Sequence, residues 1–340
     1  MASQVLFMRV VFWRAFLMTV WNKRIGGIFS RLWASVIVLC YAGSLSGNAQ
    51  ILTKEDLQKE IVVCEAAAHG AEPPSMSPDQ AGRIWSRLGT LYQDAGKYDQ
   101  SQIAYRHAVT LLTMAPISQP DLAVAVDNLG TLYLETGYVK EAQQAERKAL
   151  KIRQAAGLKS DIPKSWYHLA NLYLREHRPA RSKRFAQRAV DAFARYPNAI
   201  PEDTIGSLLV LSASDCQSHQ YGEAIPQFQT ALQLTIKAYG PEHYPAGMSM
   251  FLLGYAHWKN GDLARAKELM EHGYDIVGRE MAWHPAYLFF MTQYAHFLRD
   301  EQKLDAARVI EGAINERRAQ FEADPAFSSR LQITDVDDLF

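Results

Sequence analysis

Residues 85–109 read WSRLGTLYQDAGKYDQSQIAYRHAV and contain the pattern that decides the fold. In this stretch Gly89 is followed by Tyr92 and then, seven residues after Gly89, by Gly96. Apolar and small residues at steps of three and four mark one face of a helix, and a glycine such as Gly96 favours the left-handed turn that ends a helix. The stretch therefore predicts two antiparallel helices joined at Gly96.

The pattern returns along the chain at a nearly constant interval. Its small residue recurs after 41, 40, 42, 42 and 41 residues, at Gly89, Gly130, Ala170, Ser212, Gly254 and Ala295. Another small residue follows twelve positions later in each copy, at Ser101, Ala142, Ser182, Ala224, Ala266 and Ala307. A helix pair of this size has an apolar side that it cannot bury alone, so the copies must stack on one another.

The repeated pattern, Trp-x-x-Leu-Gly-x-x-Tyr followed by Gly and by small and aromatic residues, resembles the tetratricopeptide repeat. The interval is longer than the usual ~34 residues and is similar to the roughly 42-residue variety of kinesin light chains and many bacterial proteins. Residues 119–133 and 239–256 resemble the Gly-Pro-x-His-Pro-Asp-x-Ala sequence of that variety. The resemblance implies an all-α, right-handed α-solenoid of about six antiparallel helix pairs over residues 82–322.

Two copies depart from the pattern. The third has Pro179 in the basic sequence REHRPARSKR, and a proline is tolerated at the first position of a helix. The fourth has Asp215 where the first has Tyr92. Either the fourth helix is shifted or a polar group faces the stack.

The flanks of the array predict a cap and a tail. Residues 50–81 contain a capping helix, with Thr53 as its N-cap, and a linker that includes Pro73 and Pro74. Residues 323–340 form an acidic tail that ends in ITDVDDLF. Two hypotheses for the tail remain open: a disordered terminus, or a segment that docks in the protein's own groove.

Residues 1–49 predict an export signal. Basic residues up to Arg31 precede an apolar run of about a dozen residues, and Gly47 and Ala49 occupy the positions that a signal peptidase recognises. The run is shorter than the ~20 residues that a membrane-spanning helix needs. We therefore predict cleavage after Ala49 and a periplasmic or secreted protein. The alternative is an uncleaved anchor in the inner membrane, and this segment is the only membrane contact that the sequence predicts.

The composition of the remaining chain argues against several classes of partner and of site. Residues 50–340 carry 31 basic and 36 acidic residues, a formal charge of −5. The overall charge therefore gives no reason to expect that the protein binds nucleic acid. Cys64 and Cys216 are predicted to be free thiols. No phosphate-binding loop, Gly-x-Ser-x-Gly, His-Glu-x-x-His or Cys-x-x-Cys motif occurs, so we predict no enzyme, no cofactor and no metal site.

The resemblance also indicates a concave inner face, lined by the first helix of each pair. Side chains three before and one, four and five after the small residue are expected to face it. The candidate groove residues are Asp127, Asn128, Tyr167, Asn171, Arg175, Phe251, Tyr255, Trp258, Lys259, His296 and Arg299. Rings beside amide and cationic groups suit an extended peptide. The alternative for Tyr255 and Trp258, that they pack against the next repeat, stays open.

Three hypotheses for function follow. The leading one is an exported, non-enzymatic module that binds a peptide or protein partner in its concave groove. The second is a structural or assembly factor of the cell envelope that acts through its convex face and its ends. The third is an enzyme whose site the motifs do not show.

Overall fold

The computed structural model describes residues 54–70, 76–115, 119–196, 201–284 and 286–323. These ranges contain helices and no strand. The predicted export segment, the N-cap Thr53 and the acidic tail beyond Ala323 lie outside them. Among the described helices, none is both long and apolar enough to span a bilayer. The helices are α1 (Lys54–Gly70), α2 (Pro78–Asp94), α3 (Tyr98–Thr113), α4 (Gln119–Glu135), α5 (Val139–Ala155), α6 (Ile162–Arg175), α7 (Pro179–Phe193), α8 (Pro201–Gln217), α9 (Tyr221–Tyr239), α10 (Tyr244–Lys259), α11 (Leu263–Met281), α12 (Tyr287–Asp300) and α13 (Leu304–Ala323).

The helices α2 to α13 form six consecutive pairs. In each pair the first helix packs against the second, and in the first five pairs the second packs against the first helix of the following pair. This arrangement confirms the predicted all-α solenoid of helix-pair repeats.

The helix α1 takes the place of the second helix of a preceding pair. Tyr92 of α2 donates a hydrogen bond to Glu65 of α1, 27 residues earlier, at 2.6 Å. The same separation joins Tyr133 of α4 to Arg106 of α3, which donates to the Tyr133 hydroxyl at 3.0 Å. Because the two contacts use the same register, α1 covers the outer side of the first pair, which confirms the predicted capping helix.

The small residues of the pattern let the two helices of a pair approach closely. A Cβ added to Gly89 would lie 2.6 Å from the ring of Tyr105 on α3. The second small residue also fixes the crossing, since Ser101 donates a hydrogen bond to the carbonyl of Gly89 at 2.8 Å. Ser182 donates to the carbonyl of Ala170 in the third pair in the same way, at 2.7 Å.

The turn inside each pair places one residue in the left-handed region, seven positions after the small residue. Gly96, Gly137 and Gly261 have φ of 71°, 80° and 91° there. Three pairs hold a residue with a side chain at the same position, where a left-handed backbone is strained. They are His177, His219 and Gln302, with φ of 54°, 58° and 62°.

The two departures from the pattern fit within the array. Pro179 is the first residue of α7, and Asp215 lies inside an unbroken α8 as a fully buried side chain. Gln227 donates a hydrogen bond to the Asp215 carboxylate at 2.9 Å, and Lys183 Nζ lies 2.6 Å from it. Of the two alternatives for the fourth repeat, the polar group that faces the stack is the one observed.

The array curves far enough to touch itself. Trp283, in the turn between α11 and α12, packs against an apolar cluster formed by Leu57, Ile61 and Leu91. Leu57 and Ile61 belong to the capping helix and Leu91 to the first pair. The turn before the last pair therefore contacts the beginning of the solenoid.

Candidate functional site

The first helices form the inner side of the solenoid. The helix α2 contacts α4, α4 contacts α6 and α6 contacts α8. In the described part of the chain, the second helices instead make their main contacts with first helices. The side on which successive helices touch is the inner side of the curve, so the predicted groove lies along the first helices.

Several candidate groove residues are buried, and Tyr167 and Phe251 are the clearest cases. Tyr167 and Phe251 are 2% and 0% exposed. Tyr167 packs beside Gly206 of α8, where an added Cβ would lie 3.1 Å from its ring. Phe251 makes an edge-to-face contact with Phe290 of α12, with ring centroids 5.1 Å apart. Both residues pack between repeats below the groove, which corrects their prediction as direct contacts.

Asp127 also lies below the surface, in a cluster of ionisable groups between the second and third pairs. It forms an ion pair with Arg153, and the two side chains are 3% and 1% exposed. Arg153 in turn donates a hydrogen bond to Ser165 at 2.7 Å. Burial raises the pKa of Glu146 well above its usual value, and the adjacent Asp127 carboxylate raises it further. Burial lowers the pKa of His168, beside Asp127, to about 4. These shifts favour the neutral forms of Glu146 and His168 beside the Asp127–Arg153 ion pair.

One repeat position of the first helices carries a polar side chain in all six pairs. This position lies five residues after the small residue, at the carboxyl end of each first helix. It holds in turn Asp94, Glu135, Arg175, Gln217, Lys259 and Asp300. We call these six residues the groove row. The sequence prediction included only Arg175 and Lys259 of this row, although counting the same position through all six copies finds the rest.

Glu135 and Arg175 are the two ionisable groups at the centre of the row. Burial raises the pKa of Glu135 to about 7, whereas the Gln93 side chain and the positive charge of Arg175 lower it. Burial lowers the pKa of Arg175 to about 10, partly offset by Glu135. The pKa of Asp94 is also raised, first by burial, while nearby Arg87 lowers it. The first two pairs therefore present carboxyl groups and the third presents a cation.

A ring cluster lies farther along the groove in the fifth pair. The rings of Tyr255 and Trp258 meet edge to face at 5.5 Å, and Trp258 meets Phe297 of the sixth pair at 5.7 Å. Trp258 also donates its indole proton to Asp300 at 3.0 Å. Lys259 Nζ lies 3.4 Å from the centroid of the Trp258 ring, and burial lowers the pKa of Lys259. The two rings are 5% and 6% exposed, and Trp258 packs against Phe297 of the next repeat.

The other candidates have partial or competing contacts. Asn171 is buried, whereas Asn128 and His296 are partly exposed. Burial lowers the pKa of His296. Arg299 is exposed but binds Glu311 through two hydrogen bonds of 2.6 and 2.7 Å, which occupy the donors that a peptide carboxylate would use. No group of three or more possible metal ligands occurs among the described residues.

The repeats match a known family. Residues 80–155 and 203–277 match the model of the tetratricopeptide repeat. These ranges correspond to the first, second, fourth and fifth helix pairs, and the third pair lies between them. The chain is a tetratricopeptide-repeat protein. No curated protein sequence matches the chain significantly.

Solved structures with the same fold are distant in sequence. BtubC (BKLC) from P. vanneervenii is 18% identical with a TM-score of 0.53, and the match covers 67% of this chain and 94% of BtubC. The apo form of RapI is 11% identical with a TM-score of 0.62, over 80% and 94% of the two chains. NprR in complex with its cognate peptide NprX is 13% identical with a TM-score of 0.53, over 83% of each chain. At these identities the likeness concerns the fold.

Proposed function

We propose that this protein is a non-enzymatic interaction module that binds an extended peptide segment of a partner along the groove row. The observation that carries the proposal is the distribution of acidic and basic side chains along one repeat position. Asp94 and Glu135 place carboxyl groups at one part of the groove, and Arg175 and Lys259 place cations farther along it. NprR, which shares the fold, binds a peptide.

The spacing of the row suits an extended chain. Packed helices lie roughly 8–10 Å apart, and an extended peptide advances roughly 3.3 Å per residue, so one repeat corresponds to about three peptide residues. A bound segment would place a basic side chain near Glu135 and an acidic one about three residues away, near Arg175. An acidic group about nine residues away would meet Lys259.

A random peptide library, selected on the immobilised full chain, tests the proposal. We expect selected peptides to combine a basic and an acidic residue at the spacing above, and their binding is measured by fluorescence polarisation. The variant Arg175→Gln/Lys259→Gln should weaken binding about tenfold or more, because charge-assisted hydrogen bonds are lost. The matched control is Lys237→Gln, which removes an exposed cation from the second helix α9.

The outcomes separate a groove site from other sites. Peptides that bind the double variant as tightly as the unchanged chain would exclude the groove row as their site. Equal weakening in Lys237→Gln would show that the net charge of the protein, and not the groove, attracts the peptide. A library that yields no binding peptide would also overturn the proposal.

We further propose that the protein is exported, with cleavage after Ala49. The support is the basic and apolar pattern of residues 1–49. Sequencing the N-terminus of the protein from soluble and membrane fractions tests this. A chain that begins at Gln50 in the soluble fraction is expected, whereas an intact N-terminus in the membrane fraction would favour the anchored alternative.

A further inference from the structure

The positive charge of the chain is concentrated in one block. Residues 139–196 contain 14 basic and 5 acidic residues, a formal charge of +9. The rest of residues 50–340 contains 17 basic and 31 acidic residues, a formal charge of −14. The whole chain has 36 basic and 36 acidic residues, and this balance conceals the separation of the two charges along the chain. The block includes the third helix pair, which lies outside the ranges that match the family model.

An exposed row of arginines follows one face of α7. Arg181, Arg184 and Arg188 are three and four residues apart, so they share one face of the helix, and Arg195 continues the row in the turn after it. With a rise of ~1.5 Å per residue, the four arginines extend over roughly 20 Å. None of them forms an ion pair with any residue in the described ranges. We call these four residues the arginine stripe.

Aromatic rings lie against the arginine stripe. The guanidinium of Arg181 lies 5.7 Å from the Tyr173 ring centroid, and that of Arg184 lies 5.5 Å from the Phe185 centroid. Arg188 lies closest, 4.2 Å from the centroid of Trp166. Stacking on a ring restrains the guanidinium while its N–H groups remain free at the edge to bind a carboxylate. Three of the four arginines of the stripe are therefore restrained by a ring.

A pocket of about 340 Å³ continues the stripe at its carboxyl end. Its apolar part is formed by Ile162, Pro163 and Trp166, and its cations are Lys159, Arg188 and Arg195. Asp191, which also lines it, accepts a hydrogen bond from Gln187 at 2.8 Å. An apolar surface surrounded by cations suits an apolar side chain whose neighbours in sequence are acidic.

We propose that the arginine stripe and this pocket form a second docking surface, which binds an acidic segment of a partner protein. The stripe lies on a second helix, so this surface is on the outer side of the solenoid and is separate from the groove row. A stripe of roughly 20 Å accommodates about six residues of extended chain. The apolar pocket would bind one apolar side chain of that segment.

Two features favour a short protein segment over nucleic acid or an anionic bilayer. The basic surface is limited on the side of the fourth pair, where Lys183 is already bound by Asp215 and by Glu223 of α9, at 2.6 and 2.9 Å. A long polyanion would extend beyond it over an acidic protein. Tyr196 is the only exposed large apolar side chain of residues 139–196 in the described structure, so the surface offers little to insert into a membrane.

Polarisation measurements with the full chain test the proposal. The probe is a fluorescein-labelled peptide that contains six acidic residues, alternately Asp and Glu, and one additional Leu at its centre. We expect it to bind, and Arg184→Gln/Arg188→Gln to weaken binding about tenfold or more. The matched control, Lys148→Gln/Lys151→Gln, removes two exposed cations of α5 from the same basic block and should change affinity less than about twofold. Unchanged circular dichroism spectra and melting temperatures verify that both variants are folded.

The competing partners are measured in the same experiment. Vesicles with phosphatidylglycerol and a single-stranded oligonucleotide of 20 nucleotides are titrated at the same salt concentration. Tighter binding of either probe than of the peptide would overturn the proposal. Equal weakening in the two double variants, or no binding of the peptide by the full chain, would overturn it as well.

Discussion

The Oε1 atom of Glu146 occupies the space beside Gly130 where a side chain would lie, since a Cβ added to Gly130 would come within 2.6 Å of it. The glycine of the second repeat therefore does more than let two helices cross. It leaves room for the carboxyl group of Glu146 next to Asp127 and His168. The absence of a side chain at Gly130 thus serves both the close crossing of the two helices and the buried charge cluster.

Replacing Gly130 with alanine tests this dependence. We expect Gly130→Ala to lower the free energy of unfolding by about 1–3 kcal/mol, because the added methyl group must displace Glu146. Urea denaturation measures the change. The matched control is Gly312→Ala in α13, where an added Cβ meets nothing within 4 Å. This variant should gain about 0.5–1 kcal/mol from higher helix propensity. A neutral or stabilising effect at Gly130 would contradict the close packing.

The Asp127–Arg153 ion pair makes a second prediction. Arg153→Met should destabilise the fold by about 3–5 kcal/mol, because it leaves the buried Asp127 carboxylate without its cation. The double variant Arg153→Met/Asp127→Asn should recover a large part of this loss. Denaturation of the two single variants and the double variant gives the coupling free energy. Additive losses would show that the two side chains do not act as a pair.

The raised pKa of Glu135 predicts a specific dependence of stability on pH. Its folded pKa, about 7, lies above its usual value of 4.5, so between these two pH values the folded state holds a proton that the unfolded state has released. The stability that Glu135 contributes should therefore be complete below pH 4.5, fall as the pH rises, and level off above pH 7.

The dependence is isolated by comparison with Glu135→Gln, since His168 contributes a dependence of opposite sign between its folded pKa of about 4 and its usual value of 6.5. The difference in unfolding free energy between the unchanged chain and the variant should fall by about 3 kcal/mol at most from pH 4.5 to pH 7. A difference that is constant over this range would contradict the raised pKa.

The left-handed turn residues predict a simple stabilisation. Gln302 has φ of 62° at the position where three other pairs have glycine. We expect Gln302→Gly to stabilise the chain by about 1 kcal/mol, because a left-handed conformation is strained for a residue with a Cβ. The reverse change, Gly137→Ala, should destabilise it by a similar amount, since an added Cβ there meets no neighbour and only the backbone is affected. Thermal unfolding measures both changes.

The sequence predicted the register of the fold because register is a local property. The interval from Gly89 to Gly130 follows from helix lengths and turn types, and the structure keeps it through six pairs. The depth of a groove side chain depends instead on what the next repeat places over it. Phe251 is covered by α12, and Trp258 is covered by Lys259 and bonded to Asp300. No pattern within one repeat contains that information.

Two other features were missed for different reasons. Arg153 reaches Asp127 from another helix, so its role follows only from the three-dimensional arrangement. The arginine stripe was visible in the sequence as three basic side chains at helical spacing in α7. It was missed because the charge was summed over the whole chain, where the acidic remainder cancels the basic block.

The contact between Trp283 and the cluster of Leu57, Ile61 and Leu91 changes the order in which the repeats should unfold. In an open stack, each unit is stabilised only by its neighbours, and the terminal units fray independently. Here the two extremities share an apolar contact, so loosening one of them exposes surface on the other. Melting that begins at the capping helix should spread to the fifth and sixth units before it reaches the middle of the chain.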